Sequence, residues 1–534
     1  MTQLATVETQ SIVPSRAASR GDLHGAEGLR SSDLMAVLAE IESRFAVADW
    51  RVAGIALWPL LRLRWFFAEW SRHYATSGFR VRTSERVWSM MRGALASLHA
   101  HHDEHPSDDY ASRGQDLVFL SDGLSFAKLG DRWIERFCDP LIAAAARQGA
   151  TSALWTPLHV YHRPRRTRST FVQPAVDVAN VVGAARARLS RVDAHLPDHA
   201  AMVDFLAAAG FGTATLSASK IVSDSCRVRS VRASYARRLA RVKPRLAFVV
   251  SYYSLEGMAF TLACRDAGAL VVDIQHGVQG PVHPAYAAWP RPPAGGSHEM
   301  LPDLFWVWSE AERDVIERWA AGTKHSAIVG DNPWLDVWRS GYEWPGVRAA
   351  VSAAEALRRR SAGRPTVLVT LQFGLDDREQ LDPLRELIAE AGNRFTFWVR
   401  LHPVMLSERE TVRAKLGGAG DYELDVPSDL PLHALIPLID AHLTHSSSTA
   451  IEAAQFGVPS VITTSYGAEL LDALLASGIA VRESGPAPLV AAALNRLIAT
   501  QRSRSTPLHA RRSEQALAEL LASRPAAADA RRRA

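Results

Sequence analysis

LTHSSSTAIE, residues 443–452, continues an apolar run that begins at Ile439, and it reads as a strand, a hydroxyl-rich turn and the opening of a helix. The first turn of a helix carries unpaired backbone N–H groups and the positive end of the helix dipole, so a turn of this kind attracts anions. Ser446, Ser447, Ser448 and Thr449 add side-chain donors, and Glu452, about one turn inside the helix, can accept two hydroxyls of a ribose. A helix cap needs one hydroxyl. Four in succession point to the phosphate of a nucleotide-activated donor.

Upstream, Phe395 to Leu401 (FTFWVRL) is a β-rich apolar run that ends in His402-Pro403, with Arg400 two residues before the histidine. In an open parallel sheet, ligands collect at the carboxyl ends of strands, so a histidine and a serine run at two strand ends can face one crevice. With 19 His and 28 Pro in the chain, about one His-Pro pair is expected by chance. His105, His283 and His402 each precede a proline, and only His402 sits at a predicted strand end upstream of a second strand-end anion site. In the other half of the chain, Leu246–Ser251 and Ala269–Ile274 read as buried strands around a helix at Glu256–Ala267, a β-α-β unit whose second strand ends in Gln275-His276-Gly277. Gly277 and Gly280 are expected to permit tight turns that leave His276 exposed at the crevice edge. A neutral imidazole there can take a proton from a sugar hydroxyl near pH 7.

Together, His402-Pro403 and Ser446–Ser448 resemble the HP and SS motifs of bacterial sialyltransferases, polysialyltransferases and capsule Kdo transferases, which are GT-B-fold enzymes. The Gln275-His276-Gly277 turn is similar to the His-Gly turn of teichoic-acid glycerophosphotransferases and capsule-synthesis proteins. The resemblance covers roughly residues 245–470 by motif order. It implies that His402 contacts the donor phosphate or protonates the leaving group, that the serines bind the same phosphate, and that His276 faces the acceptor. Sialyltransferases of this kind carry paired acids and a glycine after an early strand. Here Ser121-Asp122-Gly123 follows LVFL, so only Asp122 matches as a candidate base.

At 534 residues the chain is long enough for two or more cores. Its net charge of +5, spread along the sequence with no basic stripe, excludes a nucleic-acid footprint. Arginines near strand tips suit phosphate-bearing ligands. Cys138, Cys226 and Cys264 form neither a zinc pattern nor a disulfide framework, which fits a reducing cytoplasm. His-Ala-His-His-Asp-Glu-His at 99–105 approximates a metal motif with the wrong spacing and reads as a linker, so neither a metal nor another cofactor is expected. Trp50–Trp70 has the length of a membrane span, but Arg51, Arg62 and Arg64 interrupt it and Pro59 is expected to kink it. It is expected to pack on the catalytic body or to lie at the inner face of the cytoplasmic membrane as a peripheral contact.

Alternating strand and helix patterns predict parallel sheets rather than hairpins. The expected fold is α/β: two facing doubly wound Rossmann-like domains (GT-B) with an N-terminal helical extension. The expected organisation is a flexible leader (1–30), a helical extension and linker (31–110), an acceptor-side domain (115–330), a linker (331–364), a nucleotide-donor domain (365–500), and a terminal helix with an Arg/Ala tail (501–534). The reading is a cytoplasmic glycosyltransferase that moves a sugar from a nucleotide-sugar donor to a glycan or lipid-linked acceptor. His276, His402 and Asp122 are its catalytic candidates. Arg400, Ser446, Ser447, Ser448, Thr449 and Glu452 form its donor side, and Gln275 and Gly277 its acceptor side. The alternatives are a sugar-nucleotide 2-epimerase, a CDP-glycerol-type glycerophosphotransferase and a non-catalytic polysaccharide assembly factor.

Overall fold

Strands rich in Val, Leu, Ile and Phe that are buried on both faces belong in parallel sheets sandwiched by helices, and two such sheets organise the chain. The computed structural model describes residues 30–74, 114–156, 164–189, 192–292, 298–339, 344–373, 375, 377–501 and 512–524. The first sheet contains β1 (Leu117–Leu120), β2 (Ser152–Thr156), β3 (Ser169–Phe171), β4 (Leu246–Val250), β5 (Leu270–Ile274), β6 (Leu304–Val307) and β7 (Ser326–Val329). Its order is β7-β6-β5-β4-β1-β2-β3, parallel throughout. The second contains β8 (Thr366–Thr370), β9 (Thr396–Arg400), β10 (Tyr422–Glu423), β11 (Ala441–Thr444), β12 (Ser460–Ile462) and β13 (Ala480–Arg482). Its order, β10-β9-β8-β11-β12-β13, is also all parallel.

Each sheet runs outward from its first strand and then reverses, the 3-2-1-4-5-6 winding of a Rossmann-like domain. The reversal lies between β1 and β4 in one sheet and between β8 and β11 in the other, and those crevices are where such sheets bind ligands. The expected doubly wound α/β fold is therefore present twice. Hairpins occur as well, against expectation: Phe126–Leu129 and Arg132–Glu135 form an antiparallel one between β1 and the following helix, Cys138–Arg147.

The two domains share apolar cores. Phe137 and Trp308 of the first cluster with Ala450, Ile451, Ile462 and Leu471 of the second, and hairpin residues Leu129 and Ile134 pack with Leu368, Trp398 and Ala453. The C-terminal helix Arg512–Ser523 returns to the first domain, where Glu514 pairs with Arg147 at 2.9 Å.

The N-terminal extension packs on the body. Helix Ser31–Arg44 and helix Trp58–Tyr74 flank a short strand pair, Arg51–Val52 with Ile55–Ala56, to which Ala194–His195 adds a third strand. Pro59 does not kink a long helix, because the helix begins at Trp58 and proline is tolerated in a first turn, where the missing N–H has no partner to lose. Arg62 is fully buried and ion-paired with Glu42 at 2.8 Å, and Arg64 pairs with Asp224. Among the described residues no helix is long and apolar enough to cross a membrane. No cluster of three or more candidate metal ligands occurs among them either, and the 99–105 histidine run lies outside the described residues.

Candidate functional site

The carboxyl edge of the first sheet presents residues from β1, β4 and β5. At β4, Ser251 adopts φ 64° and Gly257 leaves no room for a side chain, since a Cβ would sit 2.5 Å from the Tyr252 carbonyl oxygen. Ser254 then caps the next helix through the Gly257 N–H at 2.9 Å. This tight turn sets Tyr253 against His276 from β5, rings stacked at 5.8 Å with the Tyr253 hydroxyl 3.1 Å from His276 Nε2. His276 Nδ1 faces the Ile274 carbonyl at 3.4 Å. A proton on Nδ1 leaves Nε2 as the acceptor. Burial lowers the imidazole pKa, the Asp122 charge and the Ile274 bond oppose it, and Arg136 lowers it further. The net direction is downward, so the ring is neutral at pH 7.

Gln275 is wholly buried and acts as a bracket. Its amide donates to the Gly277 carbonyl at 2.9 Å and to Glu312 at 2.6 Å, and its oxygen accepts from the Trp308 N–H at 2.7 Å. This bracket shapes the turn. Gly277 and Gly280 do not, since neither has positive φ. A Cβ at Gly277 would meet open space, and one at Gly280 would lie 3.5 Å from the Leu470 carbonyl of the second domain. The His276 turn therefore touches the facing domain.

Asp122 follows β1 at the reversal. Its carboxylate accepts from the backbone N–H groups of Leu124 (2.8 Å) and Ser125 (3.0 Å) and from the Ser125 hydroxyl (2.9 Å). Three donors engage three of about four lone-pair sites of the carboxylate, while the single lone pair of His276 Nε2 meets the Tyr253 hydroxyl. Nearby Glu135 is fully buried and accepts from Ser121 Oγ and from the Phe137 and Cys138 N–H groups. Burial first, then the Asp122 charge, push its carboxyl up to about 8.

On the second sheet, the serine turn follows β11 at the reversal beside β8. Ser447, rather than Ser448 at the formal cap position, does the capping: its Oγ accepts from the Thr449 N–H at 3.2 Å and donates to Thr449 Oγ1 at 3.0 Å. The hydroxyls of Ser446 and Ser448 and their backbone N–H groups have no partner among the described residues. Glu452 is buried, with Oε1 3.1 Å from His433 Nε2. Burial raises its pKa, but His433, Arg136 and Arg400 outweigh burial and hold the carboxyl below its usual value. Trp334 donates to His433 Nδ1 at 2.9 Å, which places the ring proton on Nε2, facing Glu452.

His402 caps the 3₁₀ turn Pro403–Glu408, its Nδ1 accepting from the Val404 N–H at 3.3 Å, so Nε2 carries the ring proton. Burial first and Arg400 second lower its pKa. Phe373, beyond β8, lies 6.3 Å from the His402 ring. Arg400 is partly committed to structure: Nη1 donates to the carbonyls of Pro427 and Leu430, the latter at 2.6 Å. Burial pushes its pKa down to about 10.

Sequence reasoning passed over Arg136. It stands at the end of the hairpin that reaches the second domain, beside Phe137 of the shared core, and its guanidinium has no carboxylate partner among the described residues. Its charge is felt by His276 on one domain and by Glu452 and Arg400 on the other. Arg136 is thus coupled electrostatically both to His276 and to Glu452, in the helix that the serine turn opens.

No family model matches the chain, and no curated protein matches it either. Among solved structures it is similar to UDP-GlcNAc 2-epimerase from Neisseria meningitidis bound to UDP-GlcNAc, at 14% identity over 76% of this chain and 99% of that one, with a TM-score of 0.48. The UDP-GlcNAc 2-epimerase of Methanocaldococcus jannaschii is 12% identical over 76% and 99%, TM-score 0.46. The glycosyltransferase SnogD of Streptomyces nogalater is 15% identical over the same shares, TM-score 0.36. The assignment of two Rossmann-like domains rests on the strand order itself.

Proposed function

We propose that the chain is a GT-B glycosyltransferase that moves a sugar from a nucleotide-sugar donor to a surface-polysaccharide or lipid-linked acceptor. The observation that carries this reading is the open donor set of Ser446 and Ser448 at one strand reversal, with His276 presented from the facing sheet. In the proposed step, an acceptor hydroxyl takes the place of the Tyr253 hydroxyl at His276 Nε2 and attacks the anomeric carbon as its proton passes to that nitrogen. The bond between that carbon and the phosphate oxygen breaks, and the electron pair leaves with the nucleotide phosphate. Ser446, Ser448 and Arg136 hold the developing charge. His402 has Nε2–H available to the leaving oxygen, Glu452 has Oε2 available to a ribose hydroxyl, and Arg400 adds positive potential behind both. Thr449 and Ser447 fix the turn.

The double variant Ser446→Ala/Ser448→Ala is expected to weaken nucleotide binding about 10- to 100-fold, since bonds to a charged phosphate are among the stronger hydrogen bonds. Ser447→Ala instead removes a cap, at a cost of about 1 kcal/mol in stability. Titration calorimetry with CMP, CDP, UDP and GDP checks the first and urea unfolding the second, and unchanged affinity in the double variant sinks the assignment. Incubation of a nucleotide sugar without acceptor separates transfer from 2-epimerisation, which alone would yield an epimer. A CDP-glycerol donor assay separates glycerophosphotransfer, and intact surface glycan after loss of both His276 and His402 would mark an assembly factor.

A further inference from the structure

Behind Glu452 stands a relay of buried rings. His433 meets Trp334 edge-on at 5.9 Å and stacks on Trp338 at 6.0 Å, and all three side chains are buried. An indole N–H can only donate, so the 2.9 Å bond from Trp334 Nε1 makes His433 Nδ1 an acceptor and leaves the ring proton on Nε2, 3.1 Å from Glu452 Oε1. The tautomer is therefore fixed. The helix that supplies both tryptophans, Pro333–Arg339, also grips the far end of the Glu452 helix, Thr449–Gln455, where Arg339 Nη2 donates to the Gln455 carbonyl at 3.1 Å. Glu452 Oε2, by contrast, takes no hydrogen bond among the described residues and is not sealed from solvent, and 10% of the side-chain surface stays open.

We infer that His433 is a positioning residue for nucleotide recognition: its Nε2–H holds Glu452 Oε1 and leaves Oε2 as the acceptor for the adjacent 2′- and 3′-hydroxyls of a ribose, which restricts the donor to ribonucleotides. The inference rests on the donor-site reading above. A glutamate carboxyl turns easily about its broad terminal torsion, and burial drives it to take up a proton. A fixed N–H at Oε1 opposes both, because it pins one oxygen and favours the charged form. The charges of Arg136 and Arg400 act in the same direction. One carboxylate oxygen has two lone-pair sites, enough for both hydroxyls. A deoxynucleotide leaves one of them unfilled.

The test titrates the full chain by calorimetry with CMP, CDP, UDP and GDP and with the 2′-deoxy and 3′-deoxy form of each. Loss of either hydroxyl is expected to weaken binding to the wild type about 10- to 100-fold, the range for a hydrogen bond to a charged group. His433→Phe keeps a ring against Trp338 but lacks the donor. In it, ribonucleotide affinity is expected to fall to that of the deoxy forms, while deoxynucleotide affinity holds at the wild-type value because the phosphate donors are untouched. His433→Gln returns an amide N–H near the place of Nε2 and is expected to recover much of the ribose preference. Should the phenylalanine variant not fold, His433→Leu is read in the same way. A ribose preference intact without the donor, or a loss shared equally by ribo- and deoxynucleotides, overturns the inference. So does a wild type that binds both forms alike, an outcome that leaves nucleotide binding and the transferase reading standing. Absence of binding by every nucleotide of the set removes both.

Discussion

His276→Ala is expected to lower sugar transfer by about 10²- to 10⁴-fold, the range for loss of a general base, with nucleotide affinity retained. The imidazole belongs to the first sheet, while the phosphate donors belong to the second, so the substitution removes proton transfer and leaves the donor cradle standing. The pH profile sharpens the test. Burial lowers the His276 pKa against the pull of Asp122, so the unprotonated form persists below pH 6.5, the ordinary midpoint of histidine. The acid limb of kcat/KM should fall on the low side of that value. Asp122→Asn removes the opposing charge and should move the limb further toward acid, with a smaller rate loss than His276→Ala. A larger loss in Asp122→Asn would transfer the base role to Asp122. His402→Ala should depress transfer and acceptor-free donor hydrolysis together, because both need the same leaving group.

What the sequence disclosed and what it hid follow from burial. The central strands were legible because each is a continuous apolar run: β1, β4, β8 and β11 are buried along their whole lengths. Within the two parallel sheets, β3, β7, β10 and β13 carry no such run, and they are the outermost strands. Short, half-exposed edge strands lack both the run and the alternation that mark a strand. The strand-end motifs were legible for the same reason as the strands, which placed His276, His402 and the serine turn at carboxyl edges. Arg136 was not, because the hairpin that delivers it to the second domain is set by tertiary contacts, among them Gly346, where a Cβ would come within 2.3 Å of the Gly130 nitrogen. The turn at His276 was foreseen for the wrong reason: a buried glutamine with every polar group paired holds it, and periodicity cannot announce such a bracket.

Arg62→Met is expected to destabilise the protein by about 3–5 kcal/mol, the range for breaking a buried ion pair from one side. In Trp50–Trp70 the arginines looked like interruptions of an apolar segment, yet Arg62 is fully buried and all three of its nitrogens donate hydrogen bonds. Nε donates to Glu42 at 2.8 Å, Nη2 to the carbonyls of Ala287 and Ala288 at 3.2 and 3.0 Å, and Nη1 to Pro284. The Trp289 ring lies 4.2 Å from the guanidinium carbon. Methionine fills much of the volume but leaves the Glu42 carboxylate with Trp58 Nε1 as its one remaining donor among the described residues. Burial already raises the Glu42 pKa against the pull of Arg62, and without the arginine it rises further. A carboxyl whose folded pKa is raised binds its proton more tightly in the native state, so stability falls as pH climbs above the unfolded value near 4.3. The deficit of Arg62→Met should therefore be largest near neutral pH and shrink toward pH 5, and Glu42→Gln in the same chain should recover part of it. Urea unfolding at pH 5 and pH 7.5 measures both. A loss under about 1 kcal/mol at pH 7.5, the scale of an exposed pair, would mean that Arg62 reaches solvent and that the extension does not pack rigidly on the body.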